Sequence, residues 1–123
     1  MTKWLSEPGP YTRNEGDTLT VIARFEVVPV HDGSLSEDIA RAIDALDDFD
    51  VSYELTATDT VIEAEDVDEV FEAVQAAHNA VECTRVISSV EIDEQRDREQ
   101  HVEDRIESVA SVLGREPKRE YDA

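Results

Sequence analysis

Residues 23–55 read ARFEVVPVHDGSLSEDIARAIDALDDFDVSYEL, and the fold is decided there. The stretch opens on β-branched and aromatic residues and breaks at Pro29 and at His31-Asp32-Gly33, which is a strand running into a turn. Ser34 and Glu37 have the spacing of a capping box, in which the serine covers an orphan N–H at a helix start. Leu35, Ile39, Ile43 and Leu46 then recur at helical spacing and predict one buried stripe running to about Phe49. From Val51 the period drops to two. Val51, Tyr53 and Leu55 alternate with Ser52, Glu54 and Thr56, predicting a half-buried strand over 51–57.

Upstream, the apolar run Leu19–Val30 extends the first strand. Downstream, Thr58-Asp59 makes a short turn and Thr60–Glu65 returns as the second arm of a hairpin. Asp66 and Glu69 repeat the capping logic, with Asp66 as N-cap, and Val67, Val70, Phe71, Val74, His78 and Val81 share one face of the helix that follows. Arg85–Ile92 is a fourth strand. Glu99–Leu113 sets Val102, Ile106, Val109 and Leu113 on one stripe and closes at Gly114. The order is β-α-β-β-α-β plus a terminal helix, an α+β ferredoxin-like sandwich. Its internal helices cover one face of an antiparallel sheet and leave the other open. The expected organisation is a leader over 1–18, with Trp4 and Tyr11 as anchors, one domain over 19–114, and a tail over 115–123.

Composition bounds the function. The 123 residues suffice for one core, and 31 acidic against 11 basic residues give a formal charge of −20. Such a balance lacks the cationic surface that a nucleic-acid backbone or an anionic membrane requires. No apolar run is long enough to span a bilayer and the first residues lack a signal-peptide core, so a cytoplasmic protein is expected. The acids are spread along the chain, and Lys3 and Lys118 are its only lysines. A salt-rich cytosol favours that pattern, because dense counterions screen self-repulsion. Cys83 stands alone and excludes an internal disulfide; read with His78 it is an inert thiol rather than a nucleophile. His31, His78 and His101 have no metal-ligand spacing, and no nucleophile elbow, P-loop or dinucleotide fingerprint is present. The expectation is a protein without catalytic residues, metal or cofactor.

Strand parity assigns side chains to the open face. Arg24 and Glu26, Glu54 and Thr56, Val61 and Glu63, and Ile87, Ser89 and Glu91 point outward, so each strand carries one outward glutamate: Glu26, Glu54, Glu63 and Glu91. Strands lie only ~4.8 Å apart, so facing carboxylates repel unless compensated. Arg24 and Arg85 could pair with them, salt could screen them, or a cationic or amine-bearing molecule could bind, since carboxylates accept hydrogen bonds and balance charge. An all-oxygen Mg²⁺ or Ca²⁺ site has no ligand loop to support it.

The segments FEVVPVHDGSLSEDIARAIDAL (25–46), VSYEL (51–55), TVIEAE (60–65), AAHNAV (76–81) and RVISSVEIDEQRD (85–97) resemble, in order, the thiamine-binding protein family. The resemblance runs from about Leu19 to Leu113. Its most specific pieces are Val27-Val28-Pro29 followed by Ser34-Leu35-Ser36, then Tyr53-Glu54-Leu55, Thr60 with Glu63, and Glu91-Ile92-Asp93 with Arg96-Asp97. It departs at Thr56-Ala57-Thr58-Asp59, where the family has a Pro-Met-Gly run, and in the short link from His78 to Arg85. The resemblance implies single or tandem ferredoxin-like domains that associate through their sheets into dimers or tetramers. It also implies binding, without chemistry, of thiamine or its hydroxymethylpyrimidine half. Ser34, Ser36, Tyr53, Thr60, Glu63 and Glu91 match family positions near the ligand, although Ser34 is also explained by capping and Tyr53 by the core. Glu54 and Ser89 join them as outward neighbours. The rival expectation is a homo-oligomeric assembly or regulatory module that binds no thiamine.

Overall fold

The computed structural model describes residues 20–118. Strands β1 (Val21–Pro29), β2 (Val51–Leu55), β3 (Thr60–Ala64) and β4 (Val86–Glu94) alternate with helices α1 (Ser36–Leu46) and α2 (Val67–Ala80), and α3 (Val102–Leu113) follows. This is the predicted β-α-β-β-α-β sandwich with a C-terminal helix. The strands form one antiparallel sheet in the order β2-β3-β1-β4. The expected leader, with Trp4 and Tyr11, and the end of the expected tail lie outside the described residues.

The core sits between the sheet and the α1–α2 layer. In β1, Val21, Ala23, Phe25 and Val27 are buried while Arg24 and Glu26 are exposed, as a strand with one wet face requires. Phe25, Leu46, Ile62, Val21 and Val70 are fully buried, and each such side chain is worth about 1.5–3 kcal/mol of transfer free energy. Pro29 ends β1 opposite Val86, beyond the last β3 partner, where its missing N–H costs no second ladder bond. The α1 stripe is centred on Asp38, Ala42 and Leu46, with Ile39 and Ile43 half-buried beside it. In α2 the buried positions are Val70, Ala73, Val74 and Ala77. Phe71, predicted to share the buried face, is 50% exposed. The small residues Ala42, Ala73 and Ala77, each fully buried, suit the close approach of α1 and α2.

Helix starts divide into one that follows the sequence signal and two that depart from it. Asp66 caps α2 by accepting the Glu69 N–H at 2.8 Å, and the Glu69 carboxylate takes the Asp50 N–H at 2.9 Å. Ser34, however, forms no capping box with Glu37. The helix begins two residues later, and Ser34 Oγ accepts instead from Ser36 N at 3.2 Å in a local turn after Gly33, whose φ is +86°. Similarly, α3 begins at Val102 rather than Glu99. Its buried residue is Ala110, while Val109 and Leu113 of the predicted stripe are exposed.

Candidate functional site

Two residues in register across the sheet share a face, so the ladder determines which outward groups meet. Glu91 lies opposite Arg24, Glu26 opposite Ser89, Glu54 opposite Val61, and Glu63 between Ser52 and Ile22. None of the four outward glutamates faces another. The expected repulsion is therefore avoided mainly by stagger, with Arg24 beside Glu91 and His101 beside Glu63. The Arg24 guanidinium lies 3.9 Å from Glu91 and 3.6 Å from Asp59.

The β2–β3 turn closes this region. Thr56 Oγ1 accepts the N–H groups of Thr58 (3.2 Å) and Asp59 (3.1 Å), and the Thr56 N–H donates to the Asp59 carbonyl at 2.8 Å. The turn separates two hollows. On the open-face side Arg24, Glu26, Asp59, Ser89 and Glu91 line a polar hollow of about 280 Å³. Toward α1, Phe25, Ile39, Ile43, Leu55 and Thr60 line a more apolar one of about 230 Å³. Glu26, Thr58 and Asp59 border both. A third, smaller hollow of about 160 Å³ lies under the start of α3, between Glu54, Val61 and Glu63 on the sheet and Val102 and Glu103 on the helix.

Six of the eight predicted site residues divide among these places. Ser89 and Glu91 share the polar hollow, Thr60 borders the apolar one, and Glu54, Glu63 and Tyr53 border the third. Thr60 is buried opposite Phe25, and the Tyr53 hydroxyl donates to Asp47 at 2.7 Å, which raises the phenol pKa. Glu63 is already engaged: one carboxylate oxygen accepts the Val102 N–H at 2.7 Å and the other lies 3.2 Å from His101 Nδ1. Ser34 and Ser36 are exposed at the start of α1, away from all three hollows. Asp59 escaped the sequence reading, which saw only its turn-forming role. Its place one residue before β3, beside outward Arg24, was the available signal.

The two groups weighed as a nucleophile and its base have structural partners. His78 Nδ1 meets Ser88 Oγ at 2.6 Å, and Cys83 Sγ donates to the Arg85 carbonyl at 3.0 Å. Among the described residues no group of three or more His, Cys, Asp or Glu is arranged to hold a metal ion. No helix among them is long and apolar enough to cross a membrane.

An antiparallel sheet helical on one face and hollowed on the other defines an open-faced ferredoxin-like sandwich. Within that class the chain belongs to the thiamine-binding protein family, which it matches over residues 23–110. It is 40% identical over 98 residues to a UPF0045 protein of Methanothermobacter thermautotrophicus, covering 76% of this chain and 99% of that one. A crystallised hypothetical protein of Methanocaldococcus jannaschii is similar in structure with a TM-score of 0.70 at 33% identity, over 74% of this chain and 96% of that one. A Thermotoga maritima protein assigned provisionally to thiamine biosynthesis or salvage is similar with a TM-score of 0.63 at 26% identity, over 73% of this chain and 98% of that one.

Proposed function

We propose that the protein binds thiamine, or its hydroxymethylpyrimidine half, without transforming it, at the β2–β3 end of the open sheet face. The observation that carries this reading is the pair of hollows sharing one rim. One is lined by the carboxylates of Glu26, Asp59 and Glu91, the other by Phe25, Ile39 and Leu55. A ligand that joins an amine-bearing ring to a cationic one, each with apolar ring edges, has a use for both. Carboxylates would take the amine and balance the azolium charge, while Ser89 and Thr60 offer hydroxyls. Glu54 extends the same face toward β2. The polar hollow is open to solvent on the open sheet face, so a second copy laid on the sheet would complete on that side the enclosure that a tight small-molecule site needs. The dispersed charge of −20 completes the reading as a cytoplasmic, salt-adapted protein with no nucleic-acid or membrane partner.

Glu26→Gln combined with Glu91→Gln tests the assignment. Thiamine affinity should fall roughly tenfold or more, because a hydrogen bond to a charged group is worth about 1.5–3 kcal/mol. Unchanged affinity would move the ligand elsewhere. A second reading, an assembly module without a ligand, draws on the exposed Val109, Val112 and Leu113 of α3. It would be favoured if the double substitution altered only the oligomeric state.

A further inference from the structure

Helix α3 is fastened to the open face at its first turn and little elsewhere. Glu63 of β3 takes the Val102 N–H, Arg105 reaches Asp93 of β4 at 2.6 Å, and Thr20 and Gln100 exchange hydrogen bonds just before the helix. Further along, Ala110 is the buried residue, and Val109 and Val112 are 62% and 91% exposed. Among the described residues α3, unlike α1 and α2, has no extensive packing against another element. A helix held chiefly by polar contacts at its first turn, with Ala110 as its one buried residue, is an element that opens locally at small cost.

The centre of that turn is His101. Its Nδ1 faces Glu63 and its Nε2 faces Glu99. Ionised carboxylates only accept hydrogen bonds, so both ring nitrogens must donate, and only the imidazolium carries two N–H groups. A neutral ring would turn a lone pair onto one carboxylate. It would also remove the positive charge from between Glu63 and Glu99, beside Asp50 and Glu65, which line the same cleft as His101.

We propose that His101 is the latch of a pH-operated strap: as imidazolium it holds α3 across the Ser52–Glu63 end of the open face, and its deprotonation frees the first turn. The hydrogen bond to Glu99, then that to Glu63, raises the His101 pKa above its ordinary 6.5. A raised pKa means that the latch is fully closed below 6.5 and loosens as pH rises through the shifted value. The other charged groups around the turn are Asp104, which accepts the His101 backbone N–H at 2.9 Å, and Arg105, which is paired with Asp93. As control of access to Glu54 and Val61 the inference rests on the binding function proposed above. As a movement of α3 it stands alone.

Amide hydrogen exchange on the full chain in molar KCl tests it, with Val102 as reporter and Phe25 and Ile62 as references. Rates are taken relative to the unstructured rate at each pH, between about pH 6 and about pH 9. Protection at Val102 should fall by about tenfold or more as pH rises, the equivalent of one pKa unit, while the sheet amides hold. In His101→Gln it should be low throughout. Protection at Val102 that is constant with pH, or as high in His101→Gln as in the parent, would overturn the latch. A parallel thiamine titration separates the two claims. pH-dependent protection without ligand heat at either pH removes the binding function and keeps the latch, whereas ligand heat with constant protection does the reverse.

Discussion

Asp38 is a carboxylate drawn almost out of solvent between two cationic groups. It receives a hydrogen bond from His31 Nε2 at 2.6 Å and another from Arg41, which also lies 3.9 Å from Glu82. His31 donates its second ring N–H to the Asp32 carbonyl at 2.8 Å, so this imidazole too is satisfied only as a cation. The His31 pKa is raised from 6.5, first by the Asp32 carbonyl and then by Asp38. The Asp38 pKa is lowered from 3.8, chiefly by His31. The His31 contribution to stability is complete below 6.5 and lost as pH rises through its raised pKa; that of Asp38 is complete above 3.8 and lost as pH falls through its lowered one. Together they stabilise the fold most between these two values. An NMR titration should therefore show His31 titrating high, and Asp38→Asn should return it only part of the way, since the Asp32 carbonyl remains. A His31 that titrates at its ordinary value in the parent would refute this. None of the pair was legible in sequence, because Asp38 reads as a solvated first-turn acid until the loop folds His31 back over it. Capping was legible at Asp66 and misleading at Ser34, where the positive φ of Gly33 sets the serine outside the helix. Accordingly, Asp66→Ala should cost about 1 kcal/mol in denaturant unfolding and Ser34→Ala no more than about 0.5 kcal/mol.

Elements differ in what holds them. β1, β3, α1 and α2 share a core in which Phe25, Leu46, Ile62 and Val70 are fully buried, whereas α3 adds Ala110 and polar fastenings. Ile62→Ala should cost roughly 2–5 kcal/mol, through lost transfer energy and the cavity left behind, while Val112→Ala should stay within about 0.5 kcal/mol. Unfolding midpoints in urea would separate the two, and a large effect at Val112 would mean that α3 is packed against something. Periodicity made the four strands and three helices legible because a period of 2 or 3.6 follows from backbone geometry alone. It could not reveal what lies opposite a helix. Phe71 and Val109 fit their stripes as well as Val70 and Ile106 do, yet they face outward, because α1 meets α2 at its alanines and α3 turns Ala110 inward instead. The open face was legible through strand parity for the same geometric reason. That Glu63 would be taken up by α3 was not, since parity says nothing about where a helix 39 residues further along the chain will land.

The whole molecule is a small sandwich carrying a charge of −20, with its outward glutamates staggered rather than paired. Stagger removes the nearest repulsions and leaves the long-range ones, which mobile ions screen over about 10 Å at 0.1 M salt and about 3 Å at 1 M. The melting temperature should therefore rise as KCl is raised toward molar concentration, and thermal unfolding followed by circular dichroism would read it; a flat or falling trend would argue against salt adaptation. The same screening determines how the binding reading must be examined, since a negative result from a protein loosened by dilute buffer carries no weight. The direct measurement is calorimetric titration of the folded protein in molar KCl with thiamine and, separately, with hydroxymethylpyrimidine. Saturable heat at micromolar ligand, weakened by Glu26→Gln with Glu91→Gln, is the predicted result. The absence of heat with either compound, from a sample whose circular dichroism shows it folded, would contradict the proposed function.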